Sequence, residues 1–289
     1  MQWPLVSVLV PCYNHEKYIE ESLLSILQHD YDNIELIVVN DGSTDGSADV
    51  INGLRQRYDF QFYSQSNQGV SAALNNALAH ARGEFIVTHD SDDIMLPGKL
   101  RYQVGYLLDN PDVGCVGARA IMVNSKGEQC KAPKVKTQKI KRFDFSELLE
   151  LAFAVGGPVA VYRREAIDRA GGYDPAIKIQ DFQITLKIAH LGYRVDMLPG
   201  FVMLYRRHDT NISKTAYKSQ LDYDMAVIDA YQDHAGYASA KVSVINKALK
   251  EAVVDDPAFA WKLFKGLPIH KWNLVTWKRF RRFLTKRFF

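Results

Sequence analysis

The sequence predicts an α/β fold: a mostly parallel, twisted sheet flanked by helices (Rossmann-like), followed by a helical C-terminal extension. Three observations carry this. The β-branched runs "LVSVLVP", "IELIVVND" and "EFIVTHD" alternate with segments of helical apolar spacing over the first hundred residues, which is the rhythm of β-α-β units. The first two runs are apolar almost throughout, as strands buried on both faces are. From about residue 214 the apolar spacing is helical to the end. At 289 residues, 47% hydrophobic and 24% charged, the chain has an ordinary globular composition and can bury a large core.

Residues 5–11 predict the first strand. The run lacks a basic leader and is too short to cross a bilayer, so a buried strand is expected there and not a signal peptide. Tyr18, Ile19, Ser22, Leu23, Ile26 and Leu27 then share one helical face. The second strand ends on Asp41, and "DGSTDGS" supplies a turn, with Ser43, Thr44 or Asp45 expected to cap the next helix. A short strand near residues 60–64 leads to the helix of "NQGVSAALNNALAHARG", expected to stop at Gly83. Beyond residue 110 the rhythm loosens. "VGCVGARAIMV" reads as strand, and the Lys-rich "KGEQCKAPKVKTQKIKR" as an exposed, mobile loop. "SELLELAF" reads as helix, "GGPVAVYRREAI" as strand into helix, and "QDFQITLKIAHLG" as helix with a glycine stop. "YRVDMLPGFVMLYRRH" reads as two successive strands. The expected division is a sheet domain over 1–213, in halves 1–110 and 111–213, and a helical extension over 214–289. Three cysteines, Cys12, Cys115 and Cys130, with no C-x-x-C pair, argue against a disulfide scaffold or zinc site and for a reducing compartment.

In open α/β sheets, ligands bind outside the carboxyl ends of the strands. Here those ends carry "PCYN" (11–14), "NDGSTD" (40–45) and "HDSDD" (89–93). Neither G-x-G-x-x-G nor Walker A occurs, so dinucleotide and P-loop binding are not signalled. Asp90 and Asp92 are one residue apart, and on an extended strand end both side chains point the same way. Two hard oxygen ligands suit Mg²⁺ or Mn²⁺, which also takes phosphate oxygens. The competing role is capping of a helix near Pro97 by Asp92 or Asp93. Asp41 could accept from a nucleobase or a ribose hydroxyl, or simply form an Asx turn. Tyr13 could stack on a base or merely pack. Asp181 could be a helix N-cap or a general base. His208 could reach a metal or phosphate, or lie on the surface.

The stretches "VSVLVPCYNHEKYIEESLLSILQ", "IELIVVNDGSTDGS", "NQGVSAALNNAL", "GEFIVTHDSDDIMLPGKL", "GGYDP", "IQDFQITLKIAHLGYRV" and "YRRHDTNIS" occur in that order. Together they resemble a family 2 glycosyltransferase with a GT-A fold, of the bacterial cell-surface polysaccharide type. The resemblance covers residues 5–213 and implies a nucleotide-sugar-binding half (1–110) and an acceptor-binding half (111–213). It implies that Pro11, Tyr13 and Asp41 surround the nucleoside and that Asp90 and Ser91 contact the nucleotide. Asp92 would ligate Mn²⁺ or Mg²⁺, with His208 near the metal or diphosphate, and Asn14 and Asp93 as further candidates. Asp181 would be the catalytic base. Two positions depart from the family pattern. Leu74 stands where arginine is frequent, leaving Arg82 as a candidate replacement, and His89 stands where an apolar residue is usual.

The implied activity is inverting, metal-dependent transfer of a sugar from a nucleotide-sugar, UDP-linked by preference. The implied acceptor is a hydroxyl of a cell-surface glycan precursor (capsule, O-antigen or lipooligosaccharide), free or lipid-linked. Two alternatives stand beside it. A nucleotidyltransferase would want a Gly-rich basic signature near the N-terminus, which "PCYNHEKY" is not. A non-catalytic sugar-nucleotide-binding protein would not need Asp41, Asp92 and Asp181 together.

Net charge is +3, but residues 262–289 hold nine Lys or Arg and no acid, so an acidic body ends in a basic tail. In "KWNLVTWKRFRRFLTKRFF", Leu274, Trp277, Phe280, Phe283, Leu284 and Phe288 share a helical face, with Arg279, Arg282 and Lys286 opposite. A basic amphipathic helix of this kind suits an anionic membrane interface. The expectation is a peripheral protein on the cytoplasmic face of the inner membrane, with no nucleic acid partner. Packing of the helix on the enzyme or in a homo-oligomer is the competing reading.

Overall fold

A computed structural model describes residues 2–130, 138–208 and 217–288. The chain forms two compact units: Met1–Phe145 with Ala154–His208, and Ser146–Phe153 with Asp209–Phe289. Residues 146–153 thus cluster with the C-terminal helices and not with the sheet. Of the Lys-rich loop anticipated at 126–142, residues 131–137 lie outside the described residues, as do 209–216.

In the first unit the elements run β1 (Val6–Cys12), α1 (Ile19–Leu27), β2 (Ile34–Asp41), α2 (Ser47–Arg55), β3 (Gln61–Gln65), α3 (Val70–His80), β4 (Phe85–Thr88), β5 (Ile94–Met95), α4 (Lys99–Asp109), β6 (Val113–Asn124) and β7 (Lys141–Phe143). After α5 (Phe145–Leu151), most of which belongs to the second unit, come β8 (Ala160–Arg163), α6 (Arg164–Arg169), α7 (Gln180–His190) and β9 (Arg194–Arg207). The strands make one sheet in the order β3-β2-β1-β4-β8-β6-β9-β5, with β7 also on β9. β1 to β4 pair in parallel. β8 is antiparallel to β4 and β6, while β6 and β9 run parallel.

The sheet is buried on both faces, which explains why β1 and β2 are written as unbroken apolar runs. On one face Val6, Val8, Val10, Leu36 and Val38 pack with Ile19, Leu23, Ile26, Ile51 and Leu54 of α1 and α2. α3 packs across β1 and β2, and Leu9, Ile37 and Val39 are also fully buried. Because β2 lies on one side of β1 and β4 on the other, the chain reverses its winding direction at β1. That switch point opens a crevice at the carboxyl ends of β1 and β4.

Three local expectations change. β9 is one 14-residue strand where two were expected. Its register against β6 shifts between Gly117/Arg119 and Arg119/Ala120, across from Leu198, Pro199 and Gly200. A bulge there absorbs the Pro-Gly pair without breaking the sheet. Gly46, not Ser43, Thr44 or Asp45, occupies the N-cap position of α2, although Asp45 still accepts from Ser47 N at 3.0 Å. Gly83 is not the helix stop, since α3 ends on Ala81 in extended conformation. Gly83 N donates to Ser7 Oγ at 2.8 Å and to Glu35 Oε1 at 3.0 Å, so this glycine is required by close approach.

The second unit continues with α8 (Tyr217–Asp229), α9 (Tyr237–Asp255), α10 (Pro257–Gly266) and α11 (Leu274–Phe288). Its core joins Leu249, Ala252 and Val253 of α9, Ala260 and Phe264 of α10, and Phe283 of α11. Asn246 donates to Thr276 Oγ1 at 2.9 Å inside this packing. The apolar face of α11, for which lipid contact and packing on protein were both open, is split. Phe280 and Phe283 point inward, whereas Leu274 and Trp277 stay 79% and 48% exposed.

A Cβ on Gly83 would stand 2.5 Å from Ser7 N and 2.6 Å from Ser7 Oγ. Gly83→Ala should destabilise the first unit by about 1–3 kcal/mol, the usual cost of overpacking a buried backbone contact. Urea unfolding of the variant beside the parent measures it.

Candidate active site

The crevice is built from the β1–α1 turn, the turn after β4, and the end of β9. β4 stops at Thr88, and Asp93 N donates to Asp90 O at 3.1 Å, closing a turn. It is this turn, and not strand alternation, that brings Asp90, Asp92 and Asp93 together: one carboxylate oxygen from each lies within 4.8 Å of the others. Short β5 pins the far side of the turn to β9, with Ile94 opposite Leu204 and Met95 opposite Met203.

No aspartate caps the following helix, because α4 begins at Lys99 behind Gly98. Asp93 is buried, and its Oδ1 accepts from Arg206 N at 2.8 Å. Its Oδ2 is buried without a hydrogen-bond partner. Burial raises Asp93 well above the carboxylate range, and Asp90 and Asp92 add to the shift. Asp90 keeps a partial opening to solvent, yet its surroundings push it up to about 7, through burial first, then Asp92 and Asp181. Asp92 Oδ2 meets His208 Nε2 at 2.8 Å, and His208 is buried, not a surface residue.

Cations surround this cluster. Lys99 is fully buried; burial pulls its ammonium down to about 7 while Asp93 and Asp90 resist, and Nζ donates to Pro158 O at 2.5 Å. Arg206 is buried, donates from Nε to Asp92 O at 2.8 Å, and pairs with Glu21. Tyr18 stacks on His208 at 4.8 Å, and the Arg206 guanidinium lies 5.1 Å from the Tyr18 ring centre. His15 Nδ1 is 2.7 Å from Ser91 Oγ, and a ring nitrogen of His15 lies within 4.8 Å of the ligand atoms of Asp92 and His208. Burial lowers the His15 imidazole, opposed by Asp92.

The donor set fits a divalent cation. Octahedral ligands about 2.1 Å from an ion stand roughly 3 Å apart in cis and 4.2 Å in trans. Within each triplet, His15 with Asp92 and His208 or Asp90 with Asp92 and Asp93, one ligand atom from each residue lies within 4.8 Å of the others. Burial first, and then the neighbouring carboxylates, raise Asp90 and Asp93, and a bound cation would favour their ionised forms.

Asp181 lies in the first turn of α7 but is not its N-cap, which is Ile179. Its Oδ1 accepts from Phe182 N at 2.8 Å. Gly156 admits its approach, since a Cβ at 156 would come within 2.8 Å of Asp181 Cβ. Asp41, at the end of β2, is buried and accepts from Gln65 Nε2 (2.8 Å), Gln68 N (2.9 Å) and Gly69 N (2.8 Å). An ionised carboxylate has about four acceptor sites, so Asp41 spends most of its capacity tying the β3–α3 loop to β2. Asn14 adopts φ +55° and its Oδ1 accepts from Thr44 N at 2.8 Å, zipping the loops after β1 and β2 together. Pro11 is half-buried and Tyr13 is 46% exposed at that same edge.

One expected nucleotide contact is corrected. Arg82 precedes β4, at the amino edge of the sheet opposite the crevice, and its Nε binds Glu35 Oε2 at 3.1 Å; it is no substitute for a diphosphate contact. Ser91 is buried and turned to His15, so it braces the turn. Leu74 fills the core beneath α3. His15, Tyr18, Lys99 and Arg206 were missed by sequence reasoning. A basic residue in each of "PGKL" and "YRRH" was the available signal, but only folding shows that these two are buried beside carboxylates.

A mostly parallel sheet with a carboxylate turn at its switch point is an α/β architecture of the GT-A type. Residues 7–171 match the family described as "Glycosyl transferase family 2", and the chain belongs to that family. An uncharacterized glycosyltransferase of Haemophilus influenzae is 38% identical over 152 residues, covering 52% of this chain and 59% of its own length. The poly-beta-1,6-N-acetyl-D-glucosamine synthase of Staphylococcus epidermidis is 26% identical over 200 residues, 67% of this chain and 48% of that protein. The chain thus spans about half the length of these curated relatives. S. aureus TarS, solved with UDP-GlcNAc, shares the fold with a TM-score of 0.71 at 19% identity, over 92% of this chain and 82% of that one. Mannosyltransferase PcManGT of Pyrobaculum calidifontis, solved with GDP-Man and Mn²⁺, aligns with a TM-score of 0.60 at 22% identity, over 98% and 86%.

His89, the departure noted in the sequence, is completely buried; its Nε2 is 3.2 Å from Asp93 O, and its Nδ1 has no hydrogen-bond partner. Burial, reinforced by Lys99, lowers it to about 3. It is thus a neutral ring that fills an apolar position. In the unfolded chain it titrates near ~6.5. Between those values the unfolded state binds a proton that the folded state refuses, so stability is lost as pH falls, by about 2 kcal/mol at a pH of about 5. His89→Leu should shrink the fall in stability between about pH 8 and about pH 5 by that amount. Denaturant unfolding at both values checks it; an unchanged pH dependence would discard the assignment.

Proposed function

We propose that the chain is an inverting, metal-dependent glycosyltransferase. It would move a sugar from a nucleotide-sugar, UDP-linked by preference, to a hydroxyl of a cell-surface glycan precursor. The observation that carries this is the electrostatic proximity of Asp90, Asp92 and Asp181 at one crevice, from two distant parts of the sequence. The UDP-GlcNAc bound to TarS and the N-acetylglucosamine polymer named for the S. epidermidis relative favour a UDP-linked donor.

Pro11, Tyr13 and the remaining acceptor site of Asp41 would cradle the nucleoside. Asp92 and His208 would hold Mn²⁺ or Mg²⁺, whose charge offsets that of the diphosphate when bound. The Asp181 carboxylate takes the proton of the acceptor hydroxyl as that oxygen attacks the anomeric carbon. The bond to the diphosphate breaks on the opposite face, the leaving oxygen keeps the electron pair, and configuration inverts. Asp181→Asn should lower kcat by about 10²- to 10⁴-fold while nucleotide affinity changes little. Transfer assays and calorimetry with UDP check the two halves; full activity of the variant would end the base assignment. Metal-dependent release of nucleoside diphosphate from a sugar nucleotide separates this reading from nucleotidyl transfer and from binding without turnover.

We further propose that the second unit rests on an anionic lipid surface, placing the enzyme peripherally on the cytoplasmic face of the inner membrane near a lipid-linked acceptor. No helix among the described residues is long and apolar enough to cross a membrane. Leu274 and Trp277 remain exposed, with Ile269 68% exposed nearby in sequence, beside Lys271, Lys278, Arg281 and Arg282. This combination suits interfacial insertion. Leu274 is largely exposed and Trp277 touches Trp272 and Phe280 at the rim of the helical core, so Leu274→Glu with Trp277→Glu should keep the fold. Full-length protein should sediment with vesicles containing anionic lipid, and the double variant should not. Equal pelleting would leave the face to protein packing or self-association.

A further inference from the structure

His15 belongs to none of the residues assigned so far to metal, nucleotide or acceptor. It sits in the turn between β1 and α1, and its backbone is held on both sides. His15 N donates to Ser47 Oγ at 2.9 Å, while its carbonyl accepts from Tyr18 N and Ile19 N, each at 2.9 Å. The ring is fixed as well. Nδ1 faces Ser91 Oγ at 2.7 Å, and the ring meets His208 edge-on with centres 5.8 Å apart. The Ser91 contact holds the ring in place, and with Nδ1–H donating to Ser91 Oγ the Nε2 lone pair is left for an ion. A ring nitrogen of His15, a carboxylate oxygen of Asp92 and a ring nitrogen of His208 all lie within 4.8 Å of one another.

We infer that His15 is a third protein ligand of the divalent cation, completing a set of two imidazoles and one carboxylate that prefers Mn²⁺ to Mg²⁺. The inference rests on the metal reading above, which assigns the cation to Asp92 and His208. The preference follows from ligand chemistry. Mg²⁺ favours oxygen ligands and binds few protein groups, whereas imidazole nitrogen suits the later divalent metals. Three protein ligands would leave the remaining positions of the ion to water and diphosphate oxygens. The β1–α1 turn would then answer to the metal directly, and Ser91 would act through His15 by holding its ring.

The test uses the full-length chain and Mn²⁺ with UDP, followed by electron paramagnetic resonance. Pulsed spectra of the parent should show two imidazole nitrogens coupled to Mn²⁺, and those of His15→Gln one. Mn²⁺ affinity should fall about 10- to 100-fold in that variant, the scale seen for lost shell groups. His15→Asp should restore binding with only one imidazole nitrogen still coupled, which a purely structural role would not produce. Mg²⁺ should displace Mn²⁺ from the parent only in large excess, and at lower excess from His15→Gln. Identical nitrogen coupling in the parent and His15→Gln, with binding abolished in Asp92→Asn, would overturn the His15 assignment and leave the metal reading standing. Equal competition by Mg²⁺ and Mn²⁺ in the parent would overturn the preference. No Mn²⁺ binding by the parent would overturn both.

Discussion

Three carboxylates held in one turn at the end of a buried strand create a charge problem that the surrounding protein must solve. Asp90, Asp92 and Asp93 repel each other, and burial magnifies the repulsion. The compensation comes from three directions. Lys99 reaches in from α4 at the price of its own depressed basicity. Arg206 ties β9 to the turn through both its backbone N–H and its guanidinium. His208 takes Asp92 from the end of β9. These groups span more than a hundred residues of sequence, so the acidic turn organises the unit around it.

Topology makes that turn available. The order β3-β2-β1-β4 places the turn after β4 beside the turn after β1. Asn14 and Asp41 do the quieter work of tying the neighbouring loops to the strand ends. The same Lys99 that faces the carboxylates also holds the carbonyl of Pro158, just beyond the two glycines against which Asp181 lies. The acidic turn and the segment behind Asp181 thus share one buried cation. A change in charge at one has a physical route to the position of the other.

Much of this was legible beforehand because it depends on local pattern. Unbroken β-branched runs marked β1, β2 and β4, and helical periodicity marked α1, α3, α7 and the C-terminal helices. Polar residues clustered at strand ends marked the crevice. What was misread depends on contacts between distant segments. The Pro199-Gly200 pair looked like a strand break, because the bulge that absorbs it is visible only opposite β6. Arg82 looked like a ligand contact, because its commitment to Glu35 needs β2 in place. Phe280 and Phe283 looked available for lipid, because their partners lie on α9 and α10.

The sequence by itself determined the alternation of elements, the three polar strand ends, the acidic triplet and the basic tail, since periodicity and composition act over a few residues at a time. Only the tertiary structure decided which charges meet. It buried Lys99 and Arg206 beside the aspartates, turned Ser91 to His15, neutralised His89 by enclosing it, and brought His15 from residue 15 and His208 from the far end of the sheet to the same carboxylate. The reason is physical: a side chain's partner, and through it its charge state, is set by neighbours that folding assembles from separate parts of the chain.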